Sequence, residues 1–204
     1  MLSSHPSDPS GNYYDKYGTR NFIARRLMAG FTHTLFDLVQ QTRCTDIHEV
    51  GCGEGKLAAL LSVQANYQIR ASDRSAEMIA QAKTEHAHCP VSFFTHDLYT
   101  LTPDKHGADL ILCCEVMEHL ADPEAGMAII HKLARKHVIF SVPREPLWRV
   151  LNMARGSYLM NLGNTPGHIQ HWSTSAFTDL VEQRFKILSV RTPIPWTFIA
   201  CQPR

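Results

Sequence analysis

Short apolar stretches and helix-like stretches alternate along the middle of this chain, and no other feature constrains its fold as tightly. Apolar runs lie at Asp46–Val50, Tyr67–Ser72, Val91–Phe94, Leu110–Cys114 and Val138–Val142, with helical patterns at Lys56–Val63, Ser75–Thr84 and Pro123–Arg135. Strands joined through helices pair parallel, and the crossovers cover both faces of the resulting sheet. Cys113 and Cys114, adjacent in one run, should then face opposite sides of it. Upstream, Ile23, Leu27, Phe31, Leu35 and Val39 repeat at helical spacing across Asn21–Gln40. Downstream, Pro143–Trp172 holds no convincing strand and Ser173–Gln183 reads as a helix. Phe185–Arg191 and Trp196–Cys201 read as strands joined by Thr192–Pro195, a link too short for a parallel crossover. A mostly parallel α/β sheet with an antiparallel end is expected.

Composition narrows the function classes. The chain has 204 residues, 20 Lys+Arg against 19 Asp+Glu, and 44% hydrophobic residues, which suits one domain with a substantial core. A net charge of +1 argues against a polyanion binder, so nucleic acid is not an expected partner. No apolar run approaches the roughly 18 residues of a spanning helix, which leaves membrane contact only as a peripheral option. Met1–Tyr14 is rich in Ser, Pro and Gly without a basic start or apolar stretch, and residues 1–20 read as a flexible lead-in. The six cysteines form no C-x-x-C and lie in apolar runs or a glycine turn, the pattern of buried thiols in a reducing compartment. A cytoplasmic protein is expected.

The chemistry centres on Glu49-Val-Gly-Cys-Gly-Glu-Gly55, between the first strand and a helix. Glycines at 51, 53 and 55 let the backbone turn sharply and let a ligand approach it. A phosphate-cradling P-loop would need glycine where Val50 stands and Ser or Thr where Leu57 stands. A dinucleotide G-x-G-x-x-G would need glycine at Lys56. Both fail. The pattern E-x-G-x-G-x-G resembles motif I of the class I S-adenosylmethionine-dependent methyltransferases, and further motifs follow in order. Asp73 closes the second strand, with Ser75 a natural N-cap and Met78 behind it; Phe94-Thr-His-Asp97-Leu98 closes the third. Ala108-Asp-Leu-Ile-Leu-Cys-Cys-Glu115-Val-Met-Glu118-His119-Leu120 is similar to the fourth strand and loop of an E-V-x-E-H subgroup, and Val138–Pro143 to the fifth strand. The resemblance spans Thr45 to Pro143. It implies a Rossmann-like doubly wound sheet of seven strands, and a methyltransferase domain over 21–204 with a lid-like insertion at about 144–173.

For the cofactor, the resemblance implies S-adenosyl-L-methionine held by Glu49, Gly51, Gly53, Gly55, Asp73, Arg74, Asp97, Leu98 and Glu115. Glu49 and the glycine backbone would take the amino-acid end, Asp73 the ribose hydroxyls and Asp97 the adenine amino group. Because the sulfonium methyl is already activated, the protein's tasks are alignment and desolvation of an acceptor, plus removal of its proton. His119, His168 and Glu118 are the catalytic candidates, imidazole titrating near pH 6.5 in the free state. Glu115, Glu118 and His119 also fall at helical spacing. With His168, or His171 in its place, they resemble the divalent-metal site of small-RNA 3′-end 2′-O-methyltransferases and some quinone-biosynthesis O-methyltransferases. The plainer reading assigns no metal and has Glu118 and His119 capping the loop or packing beside the cofactor. His86, His88 and Cys89 read as a solvated helix end.

Acceptor choice should reside at the two ends. Tyr13–Asn21 is aromatic and polar enough to close over a ligand. Trp148, Leu151, Met153 and Leu159 form either a mobile lid or the buried face of a docked helix. The expected reaction is methyl transfer to a small molecule, on an oxygen of an apolar or aromatic compound, with quinone-biosynthesis-like O-methyltransferases as the nearest subgroup. RNA 2′-O-methylation and a non-catalytic S-adenosylmethionine-binding role are the alternatives.

Overall fold

The structure is a computed structural model that describes residues 22–154, 156, 158 and 161–204. The lead-in at 1–20, the Tyr13–Asn21 strap, and Leu159 and Met160 of the expected lid lie outside the described residues. Seven strands form one sheet: β1 Asp46–Val50, β2 Gln68–Asp73, β3 Val91–Thr95, β4 Ala108–Cys114, β5 Ala134–Pro143, β6 Phe185–Arg191 and β7 Trp196–Pro203. Their spatial order is β3-β2-β1-β4-β5-β7-β6. Strands β1 to β5 run parallel; β7 pairs antiparallel with both β5 and β6. This is the expected doubly wound, Rossmann-like sheet with its antiparallel end. The order reverses between β1 and β4, the switch point at which open α/β sheets bind ligands.

The helices are α1 Phe22–Thr42, α2 Lys56–Ser62, α3 Ala76–Glu85, α4 Pro103–His106, α5 Pro123–Leu133, α6 Leu147–Ala154 and α7 Thr174–Glu182. Period-2 alternation divides the core between the faces. Leu110, Leu112 and Cys114 of β4 pack with Phe31 and Leu35 of α1, Leu57 of α2 and Ile79 of α3. Ile111 and Cys113 pack with Met127 and Ile130 of α5 and Phe177 and Val181 of α7. Cys113 and Cys114 therefore do face opposite sides, and all six cysteines are free thiols. No described helix is long and apolar enough to cross a membrane.

Two boundaries differ from the sequence reading. Pro123–Arg135 was expected to be helical, yet Ala134 already pairs with Ala108, so β5 begins directly at the end of α5. Apolar Leu133 and Ala134 suit either period, and sheet pairing decides. The short helix α4 lies outside the helical patterns read from the sequence; it is marked by Pro103 and Asp104 in its first turn, Lys105 and His106 in its last, and Gly107 after it.

One polar group is buried within the sheet. His48, fully buried on β1, donates from Nδ1 to the His106 carbonyl at 2.7 Å, and its Nε2 accepts from the Ser72 hydroxyl at 2.9 Å. Burial is the main cause that lowers its pKa to about 4; the His106 bond opposes this, and Arg70 adds to it. The unfolded chain, titrating near 6.5, therefore takes up this proton first as pH falls. Stability is expected to drop between pH 6.5 and about 4, by on the order of 3 kcal/mol from this residue. Urea unfolding of the wild type and His48→Gln across that window should show a shallower fall for the variant.

Candidate active site

The carboxyl ends of the strands open into one cleft of about 220 Å³. Its floor is the turn after β1. Gly51, Gly53 and Gly55 all have positive φ, at 76°, 54° and 75°, where a side chain would be strained. The amides of Gly51 and Cys52 both donate to the Ser72 carbonyl, at 2.7 and 2.9 Å, which pins the turn to the end of β2. A Cβ on Gly53 would meet nothing within 4 Å, so this position faces open space. Gly55 lies outside the cleft lining, and a Cβ there would sit 2.4 Å from the Phe93 ring. Its lack of a side chain permits the close packing of α2 on β3.

Asp73 is fixed by two amides. Oδ2 accepts from Gly53 at 2.9 Å and Oδ1 from Ser75 at 2.8 Å, and Ser75 in turn caps α3 by accepting from the Met78 amide. Each carboxylate oxygen has a second lone pair for a ligand. Asp97 caps the 3₁₀ turn Leu98–Thr100, accepting from Tyr99 at 2.8 Å. Arg74, Met78, His96, Asp97, Leu98 and Tyr99 complete this half of the cleft.

Glu49 lies at the base. It is 2% exposed, its Oε2 has no hydrogen-bond partner, and it lines the cleft. Burial pushes its carboxyl up to about 8; a bond from the Ala58 backbone opposes the rise and neighbouring Asp73 adds to it.

The other half, over β4, β5 and β7, is apolar with one acid. Met28 and Phe31 of α1, Cys114, Val116 and Trp196 line it together with Glu115 and His119. Trp196 stands at the cleft because β7 is antiparallel and starts where β5 ends, pairing with Pro143. Its indole meets Phe31 edge-on at 4.9 Å and donates to Glu115 Oε2 at 2.8 Å. Glu115 has φ of 58°, a strained conformation for a non-glycine residue, and Ser141 braces it through both its carbonyl and its hydroxyl. Sequence reasoning missed Phe31 and Trp196 as site residues, because an aromatic residue at helical or strand spacing reads as core, and it missed Met28, which lies off the periodic set of α1.

The segment after α6 closes beside this half. Ile169 and Gln170 donate to the Glu118 carbonyl, each at 3.0 Å, and His119 Nδ1 donates to the Gly167 carbonyl at 2.9 Å. The latter bond leaves the imidazole lone pair on Nε2. His168, 7% exposed, meets His119 edge-on at 4.9 Å and stacks on Trp148 at 5.9 Å. Glu118, His119 and His168 offer ligand atoms within 4.8 Å of one another, and they are the one group able to hold a metal ion among the described residues. Glu115 is not in that group, which corrects the four-ligand expectation: its oxygens turn to Trp196 and Ser141. His171 turns away as well, bonding Asn164 at 2.8 Å. Helix α6 is docked through Trp148 and Asn152, both buried, while Val150 and Met153 are exposed.

The Glu49 environment has a measurable consequence. With a folded pKa near 8 against an ordinary 4.5, the unfolded chain loses this proton first, so the residue erodes stability as pH rises through that interval. Glu49→Gln cannot titrate there. Relative to wild type, the variant should gain stability between pH 4.5 and 8, read as a change in the difference of urea midpoints.

Comparison with known proteins finds a domain match and solved structures of the same fold. A family model described as a methyltransferase domain matches residues 47–137. An uncharacterized methyltransferase of Mycobacterium tuberculosis is 29% identical over 87 residues, 43% of this chain and 43% of that protein. The match thus spans less than half the length of the curated relatives. Magnesium protoporphyrin IX methyltransferase from Synechocystis PCC 6803, crystallised with SAH, has a TM-score of 0.69 at 19% identity, covering 92% of this chain and 90% of that one. The methyltransferase domain of bacterial CtHen1 has a TM-score of 0.67 at 20% identity, covering 86% and 99%. Residues 47–137 thus match a methyltransferase-domain model, and the whole sheet shares the Rossmann-like fold of these solved structures.

Proposed function

We propose that this chain transfers the methyl group of S-adenosyl-L-methionine to an oxygen of an apolar or aromatic small molecule. The observation that carries the reading is the junction of Gly53 and Asp73: a turn open to a ligand, hydrogen-bonded at 2.9 Å to a carboxylate with lone pairs to offer two ribose hydroxyls. The other residues fit the same cofactor. Buried Glu49 has an unpartnered oxygen for a cationic amine, and Asp97 also lines the cleft, as an acceptor for the adenine amino group. When bound, the sulfonium supplies an electrophilic methyl group. Met28, Phe31, Val116 and Trp196 exclude water around an acceptor and hold its rings. His119 lines the same space with its lone pair on Nε2, placed to take the acceptor's proton.

The convergence of Glu118, His119 and His168 favours an alternative use of that Nε2 lone pair, as one ligand of a divalent cation held by one carboxylate and two imidazoles. That donor set suits Mn²⁺ or Fe²⁺ better than a thiolate-seeking ion. Such a cation would lower the pKa of an acceptor hydroxyl and assist its deprotonation. Relatedness to quinone-biosynthesis O-methyltransferases and a cytoplasmic location belong to the same proposal, the latter supported by six free thiols.

Two outcomes are expected. Asp73→Asn should weaken binding of S-adenosylhomocysteine by about 10- to 100-fold, because a charge-assisted acceptor becomes a neutral amide; unchanged affinity by calorimetry would contradict the ribose assignment. His168→Ala should lower turnover at least about tenfold while leaving cofactor affinity within about twofold, and chelator should mimic it. Full turnover in chelator would remove the cation and leave His119 as base.

A further inference from the structure

Glu49 ends β1 with its carboxyl inside the cleft lining and nearly the whole residue out of water. The Ala58 amide serves one oxygen, and Oε2 has no partner. The ionisable groups acting on it come from the turn and from both flanking strands. Asp73 at the end of β2 is a like charge. Cys52 in the turn and Cys114 at the end of β4 are thiols that burial and the carboxylates hold protonated. None of these is a cation, and Lys56, the first residue of α2, is paired with Glu54 at 3.6 Å. An isolated carboxylate is costly in such a place, whereas a neutral acid is tolerated. The upward shift to about 8 expresses the same balance.

We propose that Glu49 is a proton-exchanging recognition residue, standing as a neutral acid in the empty cleft and releasing its proton when a ligand brings a cationic amine against Oε2. The inference rests on the methyltransferase reading only in taking that amine to be the α-ammonium of the cofactor. In the exchange the carboxyl O–H bond breaks, its electron pair stays on the oxygen, and the proton passes to the solvent buffer. The new carboxylate gains the counter-charge that Asp73, Cys52 and Cys114 cannot provide. Recognition of the amino-acid end is thereby tied to proton release, and an adenosyl ligand lacking that end leaves Glu49 protonated. The residue would thus distinguish amine-bearing nucleosides from their truncated forms by charge rather than by shape.

Calorimetry on the full chain at pH 6.5, in two buffers of different ionisation enthalpy, counts the protons. S-adenosylhomocysteine should release about one proton per molecule bound. 5′-Methylthioadenosine, which keeps the adenosyl group and lacks the amino acid, should release none. In Glu49→Gln, S-adenosylhomocysteine should bind roughly tenfold more weakly and without release. Comparison of the two nucleosides on the wild type needs no variant, so a folding defect in Glu49→Gln would not block the test. Equal release by both nucleosides, or release that persists in Glu49→Gln, overturns the proposal. Binding of S-adenosylhomocysteine without proton release overturns it alone, while failure of that nucleoside to bind overturns the methyltransferase reading beneath it.

Discussion

Two amides converging on the Ser72 carbonyl hold the site together. Gly51 and Cys52 both donate to it, and Gly53 donates one residue on to Asp73. Three successive N–H groups of one turn are thereby spent on the end of the neighbouring parallel strand. The turn's position depends on the register of β1 against β2, where Val50 lies opposite Ser72. That register is in turn set by burial of Ile47, Ile69 and Ala71. The buried His48–Ser72 hydrogen bond adds a polar tie between the same two strands. A shift of one residue would turn the apolar set outward and carry Asp73 away from the glycines together.

The half of the cleft built from this turn was legible in the sequence because its parts are local. Each βα unit ends a strand, turns and caps a helix within a few residues, so Glu49, Asp73 with Ser75, and Asp97 could be placed by counting. The other half was not legible. Trp196 reaches the cleft only because β7 runs against β5, and its bond to Glu115 joins residues far apart in the chain. Phe31 reads as core, Met28 lies off the periodic set of its helix, and both are buried in the core as well as lining the cleft. Glu115 fitted a ligand pattern by spacing, but its left-handed backbone turns the carboxylate toward Trp196 and out of that pattern. Gly55 fitted the motif as well, and here the neighbouring Phe93 ring decides its role.

Helix α6 and the segment after it couple the wall to the histidine pair. Trp148 contacts both Trp196 and His168, and its indole N–H bonds Thr165 at 3.0 Å. Asn152, buried beside it, reaches Thr165 and the Gly163 carbonyl. The loop is thus braced from α6 on one side and zipped to the Glu118 carbonyl on the other. The Gln170 side chain adds a bond to the Leu120 carbonyl at 3.1 Å and the Asn164 side-chain amide one to the His168 carbonyl at 3.2 Å, so side chains and backbone together place His168.

The antiparallel course of β7 has a consequence for how such a protein diversifies. It delivers a residue from the far end of the chain to the mouth of the cleft, opposite a helix that precedes the first strand. Both contributors, α1 and the start of β7, fall outside residues 47–137, where the family signal lies. Under the proposed function, the outer segments can change, and the acceptor with them, while the glycine turn and Asp73 stay untouched.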